Sequence, residues 1–321
     1  YPRISTCVER AGIAYEKFRS SKVSEREKII QAIRKTCMDH VEQLARMAWE
    51  ETGMGRWKDK LQKNRVVIEK TPGTEDLQPT AYSGDFGLTL QENAAYGVIG
   101  SITPTTNPTE TIINNSISMI AGGNAVVFNP HPRAKKCCGV TTHLINSAIQ
   151  SCGGPEDLIT IMENPTMESG QELMTHPGIR ILVVTGGPGI VKAAFAAGKK
   201  VIAAGPGNPP AVVDETADLD EAAKNIIAGA TLDNNILCTA EKEILVVDSV
   251  GDSFVQALKR HGGYQVIGSN VHRLEQLIYR DGHVNADCIG QDAGVILAQI
   301  GIDVPESIRM GFIECDFDHF L

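Results

Sequence analysis

The feature that most constrains the fold is a regular alternation of short apolar runs with amphipathic segments between residues 96 and 204. The apolar runs are predicted as strands over 96–102, 125–128, 158–162, 181–184 and 201–204. Helices are predicted between them, over 106–121, 132–150, 167–175 and 190–197. Short apolar strands that alternate with helices are typical of a parallel sheet with helices on both faces, which binds ligands at the carboxyl ends of its strands.

Two further stretches flank this alternation. The first seventy residues follow helical spacing, with Ser24-Glu25-Arg26-Glu27 in the form of a capping box, and residues 82–90 are predicted as an exposed strand or arm of the kind that joins subunits. After Asn208-Pro209-Pro210, strands are predicted over 211–213 and 243–248 and helices over 219–230 and 252–261. We therefore predict two α/β domains, residues 1–208 and 209–321, with the arm near 79–93 in the first.

The two ends of the sequence carry a further expectation. The chain begins at Tyr1 without Met or an apolar leader, and its last residues, Asp318-His319-Phe320-Leu321, follow no completed sheet. We therefore expect an intracellular protein whose natural chain is longer at both ends. No apolar run reaches the roughly 18–20 residues of a membrane-spanning helix, so no membrane partner is expected.

Charge and cysteine content argue against several classes of protein. The net charge is −9, from 39 acidic against 30 basic residues with no basic block, so nucleic acid is not expected as a partner. Eight cysteines in 321 residues, with no C-x-x-C, are not typical of a disulfide framework. Cys137 and Cys138 accompany His131 and His143 in sequence, but on a predicted amphipathic helix, and we predict no metal site.

One cysteine differs from the others by its position. Cys238 lies in the stretch Asp233-Asn234-Asn235-Ile236-Leu237-Cys238-Thr239-Ala240-Glu241-Lys242, between a predicted helix and a predicted strand. A cysteine in such a polar loop is neither packed in a core nor near another cysteine in sequence. It is either a free, inert thiol or a nucleophile that acts as the thiolate.

Three loops that follow predicted strands carry the remaining chemistry. In Thr103-Pro104-Thr105-Thr106-Asn107-Pro108, the Asn107 side chain either caps the next helix or donates to an oxyanion. Thr185-Gly186-Gly187-Pro188-Gly189 is either a tight turn or a phosphate-binding turn, and it lacks the G-x-G-x-x-G spacing. Ala203-Ala204-Gly205-Pro206-Gly207-Asn208-Pro209-Pro210 contains no Asp, Glu or His that could act as a base.

Taken in order, these loops resemble one family. T-P-T-T-N-P, N-P-H-P from Asn129 to Pro132, V-V-T-G-G, A-A-G-P-G-N-P-P and D-N-N-I-L-C are similar to those of CoA-acylating aldehyde dehydrogenases of the ethanolamine- and propanediol-utilisation type. The resemblance begins at Glu51-Thr52-Gly53-Met54-Gly55 and runs to the end of the chain. It implies an α/β, aldehyde-dehydrogenase-like fold, with a Rossmann-like parallel-sheet domain for NAD and an α/β catalytic cysteine domain that is incomplete at its C-terminus.

The resemblance also implies a reaction. The Cys238 thiolate would attack a short aliphatic aldehyde, acetaldehyde or propionaldehyde, while the Asn107 amide and the Cys238 backbone N–H hold the oxyanion. Hydride transfer to NAD would leave an acyl-thioester. Hydrolytic relatives activate water with a Glu where this chain has Ala203. Coenzyme A would therefore take the acyl group as co-substrate, in a reversible reaction.

Cofactor contacts are implied in the same loops. The expected residues are Ile102, Thr103, Pro104, Asn129, Pro130, His131, Gly186, Gly187 and Gly205. Hydrolytic relatives often have Lys where this chain has Asn129, so the choice between NAD and NADP stays open. The Glu that grips the nicotinamide ribose in such enzymes is expected beyond Leu321.

The resemblance further implies a homo-oligomer, a dimer or tetramer, in the bacterial cytoplasm and inside a microcompartment, with shell or cargo proteins as partners. Two other functions stay open from the residues. One is a hydrolytic or phosphate-linked semialdehyde dehydrogenase on the same fold, and Ala203 argues against its hydrolytic form. The other is a catalytically silent microcompartment cargo protein.

Overall fold

The computed structural model describes residues 1–280, 282–316 and 319. The expectation drawn from the last four residues of the sequence therefore falls largely outside the described residues. The helices are α1 (Ile4–Phe18), α2 (Val23–Asp39), α3 (Val41–Thr52), α4 (Trp57–Lys70), α5 (Pro108–Ala121), α6 (Lys135–Ser151), α7 (Met167–Thr175), α8 (Pro188–Ala196), α9 (Leu219–Ala230), α10 (Gly251–Arg260), α11 (Ser269–Ile278) and α12 (Ala293–Ala298). The strands are β1 (Thr80–Gly84), β2 (Gly87–Gln91), β3 (Val98–Thr103), β4 (Ala125–Pro130), β5 (Ile159–Ile161), β6 (Ile181–Thr185), β7 (Lys200–Ala204), β8 (Pro210–Val213), β9 (Glu243–Val246), β10 (Gly263–Gln265), β11 (Tyr279–Arg280), β12 (His283–Val284) and β13 (Met310–Phe312).

Contacts within the chain divide it into two compact units. The first consists of Tyr1–Thr52 and Lys60–Pro206, and the second of Gly53–Asp59 and Gly207–Leu321. The short segment that contains the Gly53-Met54-Gly55 turn thus belongs with the later part of the chain. The assignment of cofactor binding to one part and of the catalytic cysteine to the other remains a prediction.

The first unit is built on a five-stranded parallel sheet in the order β5-β4-β3-β6-β7. The central strand, β3, comes first in the sequence. The chain then adds β4 and β5 on one side of β3 before it adds β6 and β7 on the other. The loops that leave β3 and β6 therefore diverge at the point where open α/β sheets bind dinucleotides. The parallel sheet predicted from the alternation is confirmed, with small shifts in the strand bounds.

The helices of this unit cover both faces of the sheet, and β3 and β4 are therefore buried along their whole length. α1 and α7 pack together on β3 and β4, whereas α5 packs on the same strands beside α6, with α2 against both. Their shared core is rich in isoleucine and includes Ile112, Ile113 and Phe128, which have no exposed surface. Burial of each such side chain contributes about 1.5–3 kcal/mol and fixes the strand ends that carry the candidate site.

The segment over residues 82–90 is an exposed hairpin rather than a single strand. β1 and β2 pair antiparallel around Asp85 and Phe86, and every residue of both strands is exposed. Gly87, with a φ of 134°, closes the turn in a conformation that side chains rarely adopt. The arm predicted near residues 79–93 therefore carries exposed Tyr82, Phe86, Leu88 and Leu90 side chains.

The second unit contains the cysteine segment. β8 and β9 pair in parallel and pack with α9 and α10 around a small core that includes Phe254. β10 pairs in parallel with β13. The Asp218 carboxylate accepts the N–H groups of Asp220 and Glu221 at 3.1 Å and so begins α9, which ends just before the Cys238 loop.

Two helix starts differ from the sequence prediction. α2 begins at Val23, where the Lys22 N–H donates to the Glu25 carboxylate at 2.8 Å, so Ser24 lies inside the first turn and is not the cap. The helix predicted over 132–150 begins with a short 3-10 turn, and α6 starts only at Lys135. The reason is a distant carboxylate: Glu51 accepts the N–H groups of residues 136 and 137 at 2.8 and 2.7 Å and caps α6 there.

Candidate active site

Most of the predicted cofactor residues meet at one edge of the sheet in the first unit. In the sheet register, Ile102 stands opposite Asn129 on one side and Val184 on the other, and Thr103 stands opposite Pro130. The loops after β3, β4 and β6 therefore begin side by side. The structure brings together Ile102, Thr103, Pro104, Asn129, Pro130, His131, Gly186 and Gly187 at this edge.

Asn107 stands at the start of α5, but its side chain does not cap the helix. Its carbonyl oxygen instead accepts a hydrogen bond from Lys63 Nζ at 2.6 Å, and its amide nitrogen donates to Thr106 Oγ1 at 3.2 Å. Lys63 also lies 3.4 Å from the Glu110 carboxylate, and both charged side chains are buried. The capping interpretation is therefore wrong. The hydrogen bond to its oxygen fixes the amide, and its nitrogen acts as a donor.

Asn129 and His131 frame the end of β4. Asn129 is buried, and its side-chain oxygen accepts a hydrogen bond from Ser169 Oγ in α7 at 2.7 Å. His131 Nδ1 accepts the Arg133 N–H at 3.1 Å. Burial, together with the Arg133 charge, lowers the pKa of His131. An unperturbed histidine already titrates below pH 7, so His131 is a neutral imidazole at pH 7.

The turn after β6 is fixed on one side and open on the other. Gly187 immediately precedes α8, and no atom lies within 4 Å of the position that a side chain would take there. At Gly186 such a side chain would come to 2.6 Å from Ile190, and the Gly186 N–H is bound to the Ala204 carbonyl at 3.1 Å. The backbone turn is therefore fixed while its outer side stays open, next to a helix N-terminus that favours anions.

Cys238 is exposed in the loop that follows α9 in the second unit. Gly207 lies directly against the backbone of this loop, because a side chain there would come to 2.0 Å from the Cys238 carbonyl oxygen. The A-A-G-P-G-N-P-P motif thus supplies a glycine that lets the chain pass close to the cysteine. Gly205, by contrast, is exposed, with no atom within 4 Å of its side-chain position.

Three consecutive residues ahead of Cys238 adopt left-handed backbone. Asp233, Asn234 and Asn235 have φ angles of 50°, 54° and 62°, which cost free energy for any residue except glycine. The buried Asp233 carboxylate accepts the Arg56 N–H at 2.7 Å, and the Asn234 amide donates to the Gly290 carbonyl at 3.0 Å. Contacts from residues far away in sequence therefore hold this strained run in place.

Two side chains close the loop around the cysteine. Asn235 donates to the carbonyl of the last residue of α9 at 2.7 Å and to that of Glu241 at 2.9 Å. Lys242 Nζ donates to two carbonyls on either side of Cys238 in sequence, at 2.9 and 3.0 Å. Burial lowers the pKa of Lys242, and the nearby Cys238 and Glu241 partly oppose this shift.

Two ion pairs stabilise the same segment within the second unit. Arg56 contacts the Asp292 carboxylate at 2.6 Å, and Asp292 also accepts the Asn234 amide at 2.9 Å. Partial burial alone would raise the pKa of Asp292, but these two hydrogen bonds outweigh it and lower the pKa. Asp59 accepts the N–H of residue 233 at 3.0 Å and lies 3.6 Å from Arg309.

The remaining candidates carry less chemistry. Ala203 lies in β7 opposite Val184, so a methyl group stands where hydrolytic relatives are expected to have a carboxylate. Cys137 and Cys138 are buried on α6, and the neighbouring Cys138 thiol together with burial raises the pKa of Cys137. Among the residues that the structure describes, no three His, Cys, Asp or Glu side chains form a group that could hold a metal ion.

Sequence reasoning missed Lys63 and Gly55. Lys60, Lys63 and Asn64 are buried at one-face spacing on α4, and this polar stripe, where an apolar one is usual, was the available signal. Gly55 has a φ of 71°, and a side chain there would come to 1.9 Å from Asp233 Oδ1. The sequence marks Gly55 as part of a turn but does not reveal this contact, because Asp233 lies far along the chain.

In the described part of the chain, no helix combines the length and the apolar character that crossing a membrane requires.

Comparison with known proteins identifies a family and a similar relative. The model of the aldehyde dehydrogenase family matches residues 2–277. An acetaldehyde dehydrogenase (acetylating) from Bilophila wadsworthia is 45% identical over 328 residues, which cover 99% of this chain and 67% of that protein. The chain thus spans about two thirds of the length of this relative.

Two solved structures are similar throughout the chain. One is a propionaldehyde dehydrogenase from the Clostridium phytofermentans fucose utilisation bacterial microcompartment, with a TM-score of 0.96 and 46% identity over 100% of this chain and 74% of that one. The other is the Rhodopseudomonas palustris propionaldehyde dehydrogenase with bound CoA and an acylated cysteine, with a TM-score of 0.96 and 46% identity over 99% of this chain and 74% of that one.

Proposed function

The chain belongs to the aldehyde dehydrogenase family, in its CoA-acylating group, and from this premise we propose that it converts a short aliphatic aldehyde, NAD and CoA reversibly into acyl-CoA and NADH. The observation that carries the proposal is the exposed Cys238 thiol in a loop whose own side chains are hydrogen-bonded to distant backbone groups. Three strained residues close to a thiol are typical of functional sites, and this supports the proposal. Propionaldehyde and acetaldehyde are the proposed substrates because related enzymes are named for them.

The first half of the reaction is proposed at Cys238. Its thiolate attacks the carbonyl carbon of the aldehyde, which forms a C–S bond and places negative charge on the carbonyl oxygen. The Asn107 amide and the Cys238 backbone N–H donate to that oxygen. Bound NAD supplies the acceptor for the hydride that leaves the former carbonyl carbon. An acyl-thioester on Cys238 remains.

The second half is proposed as an exchange of thioesters. The CoA thiolate attacks the acyl carbon, the bond to Cys238 Sγ breaks, and the products are acyl-CoA and a free cysteine thiolate. Water would need a general base, and the position where hydrolytic relatives have Glu carries the methyl group of Ala203. Because one thioester replaces another, little free energy is lost and the reaction is reversible.

The edge of the sheet is the proposed site for NAD. Residues Ile102 to Pro104 would line the nicotinamide side, and Asn129 to His131 the adenosine ribose, with Gly186 and Gly187 at the pyrophosphate. The open outer side of the Gly187 turn supports this proposal, because backbone N–H groups there can approach a phosphate closely. Gly205 is proposed as a further contact of the cofactor.

The direct test is the dependence of turnover on CoA. With propionaldehyde and NAD, we expect continuous NADH formation only when CoA is present, and without it at most one NADH per Cys238. The reason is that the acyl group stays on the cysteine when no thiol takes it. NADH is followed by absorbance, and propionyl-CoA by liquid chromatography.

The matched control replaces CoA with its analogue that has a hydroxyl in place of the thiol, which should bind but not support turnover. Continuous turnover without CoA, with free propionate as the product, would establish the hydrolytic alternative instead. Turnover that depends on inorganic phosphate and yields an acyl phosphate would establish the phosphate-linked one. A folded protein with no turnover under any of these conditions would leave the silent cargo function.

We also propose that the chain forms a dimer or tetramer through its hairpin, inside a bacterial microcompartment. The hairpin, residues 80–91, exposes Tyr82, Phe86, Leu88 and Leu90, an apolar surface that water does not favour. The microcompartment is proposed because a similar solved protein comes from one.

The oligomer is tested by sedimentation of the protein and of its Phe86→Ser/Leu88→Ser variant. We expect the wild type to sediment as a dimer or tetramer and the variant to shift toward the monomer, because burial of the two side chains drives association. Phe195→Ser, which changes an exposed apolar residue on α8, is the control and should leave the mass unchanged. A monomeric wild type would exclude this role for the hairpin.

A further inference from the structure

A buried lysine contacts the side chain to which oxyanion binding is assigned. Lys63, on α4, is 5% exposed, and its Nζ donates to Asn107 Oδ1 at 2.6 Å. Burial of an ammonium group costs several kcal/mol unless other groups compensate for the lost water. The groups around Lys63 must therefore compensate for this cost, and the Asn107 side-chain oxygen is one of them.

A carboxylate balances this charge. Glu110, in the first turn of α5, lies 3.4 Å from Lys63 Nζ, and the two side chains are 5% and 6% exposed. Thr109 Oγ1 donates to its second carboxylate oxygen at 3.2 Å. Lys63 thus bridges Glu110 and Asn107, which are three positions apart at the start of one helix. The distance to Glu110 is longer than that to Asn107, and the contact with the amide oxygen has the length of a direct hydrogen bond.

The chemistry of the ammonium group determines which way the amide points. Lysine has three donors and no acceptor, so only the oxygen of the Asn107 amide can face it. The amide nitrogen must then point away from Lys63. One of its two N–H donors reaches Thr106 Oγ1 at 3.2 Å, and among the described residues no acceptor is recorded for the other. A positive charge at the oxygen also withdraws electrons from the nitrogen, which makes the N–H groups stronger donors.

We propose that Lys63 is a positioning residue that orients and polarises the Asn107 amide as an oxyanion donor, with Glu110 as the counter-charge that keeps Lys63 buried. This inference rests on the proposed function, in which Asn107 holds the oxyanion. Lys63 does not touch the substrate. It acts on the reaction only through the Asn107 side chain, and its effect must disappear when that side chain is removed.

The test is a double-mutant cycle on kcat for propionaldehyde oxidation with NAD and CoA. We expect Asn107→Ala to lower kcat by roughly 10²–10³-fold. Lys63→Met should lower it only about 10-fold, because the donor remains but is misaligned and weaker. The double variant should be no slower than Asn107→Ala alone. KM for the aldehyde should change by less than about threefold, since the oxyanion exists only after the nucleophile has attacked.

Glu110 requires a companion variant, because Lys63→Met leaves this buried carboxylate without its counter-charge. Lys63→Met/Glu110→Gln removes both charges and should show the same 10-fold loss of kcat in a folded protein. Glu110→Gln alone leaves the buried lysine without its counter-charge and should also lower kcat, by no more than the 10-fold loss of Lys63→Met. Circular dichroism checks the fold, and the alkylation rate of Cys238 by iodoacetamide, which needs no oxyanion donor, should match that of the wild type in all five variants.

The outcomes separate this inference from the proposed function. If Asn107→Ala keeps full kcat, the oxyanion role of Asn107 fails and the role of Lys63 fails with it. If Asn107→Ala is slow but Lys63→Met/Glu110→Gln is as fast as the wild type, Lys63 has no positioning role and the proposed function stands. If the losses of Lys63→Met and Asn107→Ala multiply in the double variant, Lys63 acts independently of Asn107 and the inference is overturned.

Discussion

Replacement of Cys238 with alanine is expected to abolish NADH formation from propionaldehyde, NAD and CoA, with a loss of at least about 10³-fold in kcat. The physical reason is that the covalent thioester through which both halves of the proposed reaction pass is formed on the Cys238 sulfur. The side chain is exposed, so its loss should change the free energy of unfolding by no more than about 0.5 kcal/mol. NADH absorbance and thermal melting measure the two quantities on the same samples.

The matched control for this variant is Cys152→Ala, which removes another exposed free thiol at the end of α6. We expect this control to keep wild-type kcat, because Cys152 has no place in the proposed reaction. CoA-dependent activity that survives in Cys238→Ala would show that a different residue is the nucleophile. Equal loss in both variants would point to general damage by thiol removal rather than to catalysis.

Replacement of Asn107 with alanine is expected to lower kcat by roughly 10²–10³-fold, the usual cost of one lost oxyanion donor. The geometry separates this effect from the loss of a helix cap. An Asn cap contributes about 0.5–2 kcal/mol to stability, but the Asn107 side chain makes no capping bond. We therefore expect a large loss of kcat with little change in the free energy of unfolding. Steady-state kinetics and chemical denaturation measure the two effects.

Asn114→Ala is the matched control, since it removes a half-buried amide of the same helix that donates to Thr71 Oγ1 at 3.0 Å. We expect its kcat to stay within about twofold of the wild type. A similar loss of kcat in both variants would assign the effect to the packing of α5. An Asn107→Ala protein with wild-type kcat would remove Asn107 from the proposed mechanism.

Much of the fold follows from local patterns in the sequence. The alternation of apolar runs with helices predicts the parallel sheet, and α7 and α9 have the predicted bounds. The start of α6 could not be predicted, because it depends on the Glu51 carboxylate, 85 and 86 positions away. The start of α2 also differs from the S-x-x-E pattern at Ser24, because Lys22 is the residue that caps this helix. Patterns indicate that a helix exists, whereas tertiary contacts decide where it begins.

The candidate site shows the same division. The position of Cys238 after a helix and the clustering of loops at the strand ends could be predicted, because both follow from the order of elements. The contacts that hold the cysteine loop could not, since Arg56 and Asp233 are 177 positions apart in sequence. The run Asp233-Asn234-Asn235 carried a partial signal, because Asp and Asn tolerate left-handed backbone better than other residues with side chains.

The central claim is that an aldehyde becomes an acyl group on Cys238 and then passes to CoA. Mass spectrometry of the protein after incubation with propionaldehyde and NAD, but no CoA, tests it most directly. We expect one added propionyl group, mapped to the peptide that contains Cys238, and its complete transfer to propionyl-CoA when CoA is added. An adduct on any other residue, or one that leaves as propionate and does not respond to CoA, would contradict the claim.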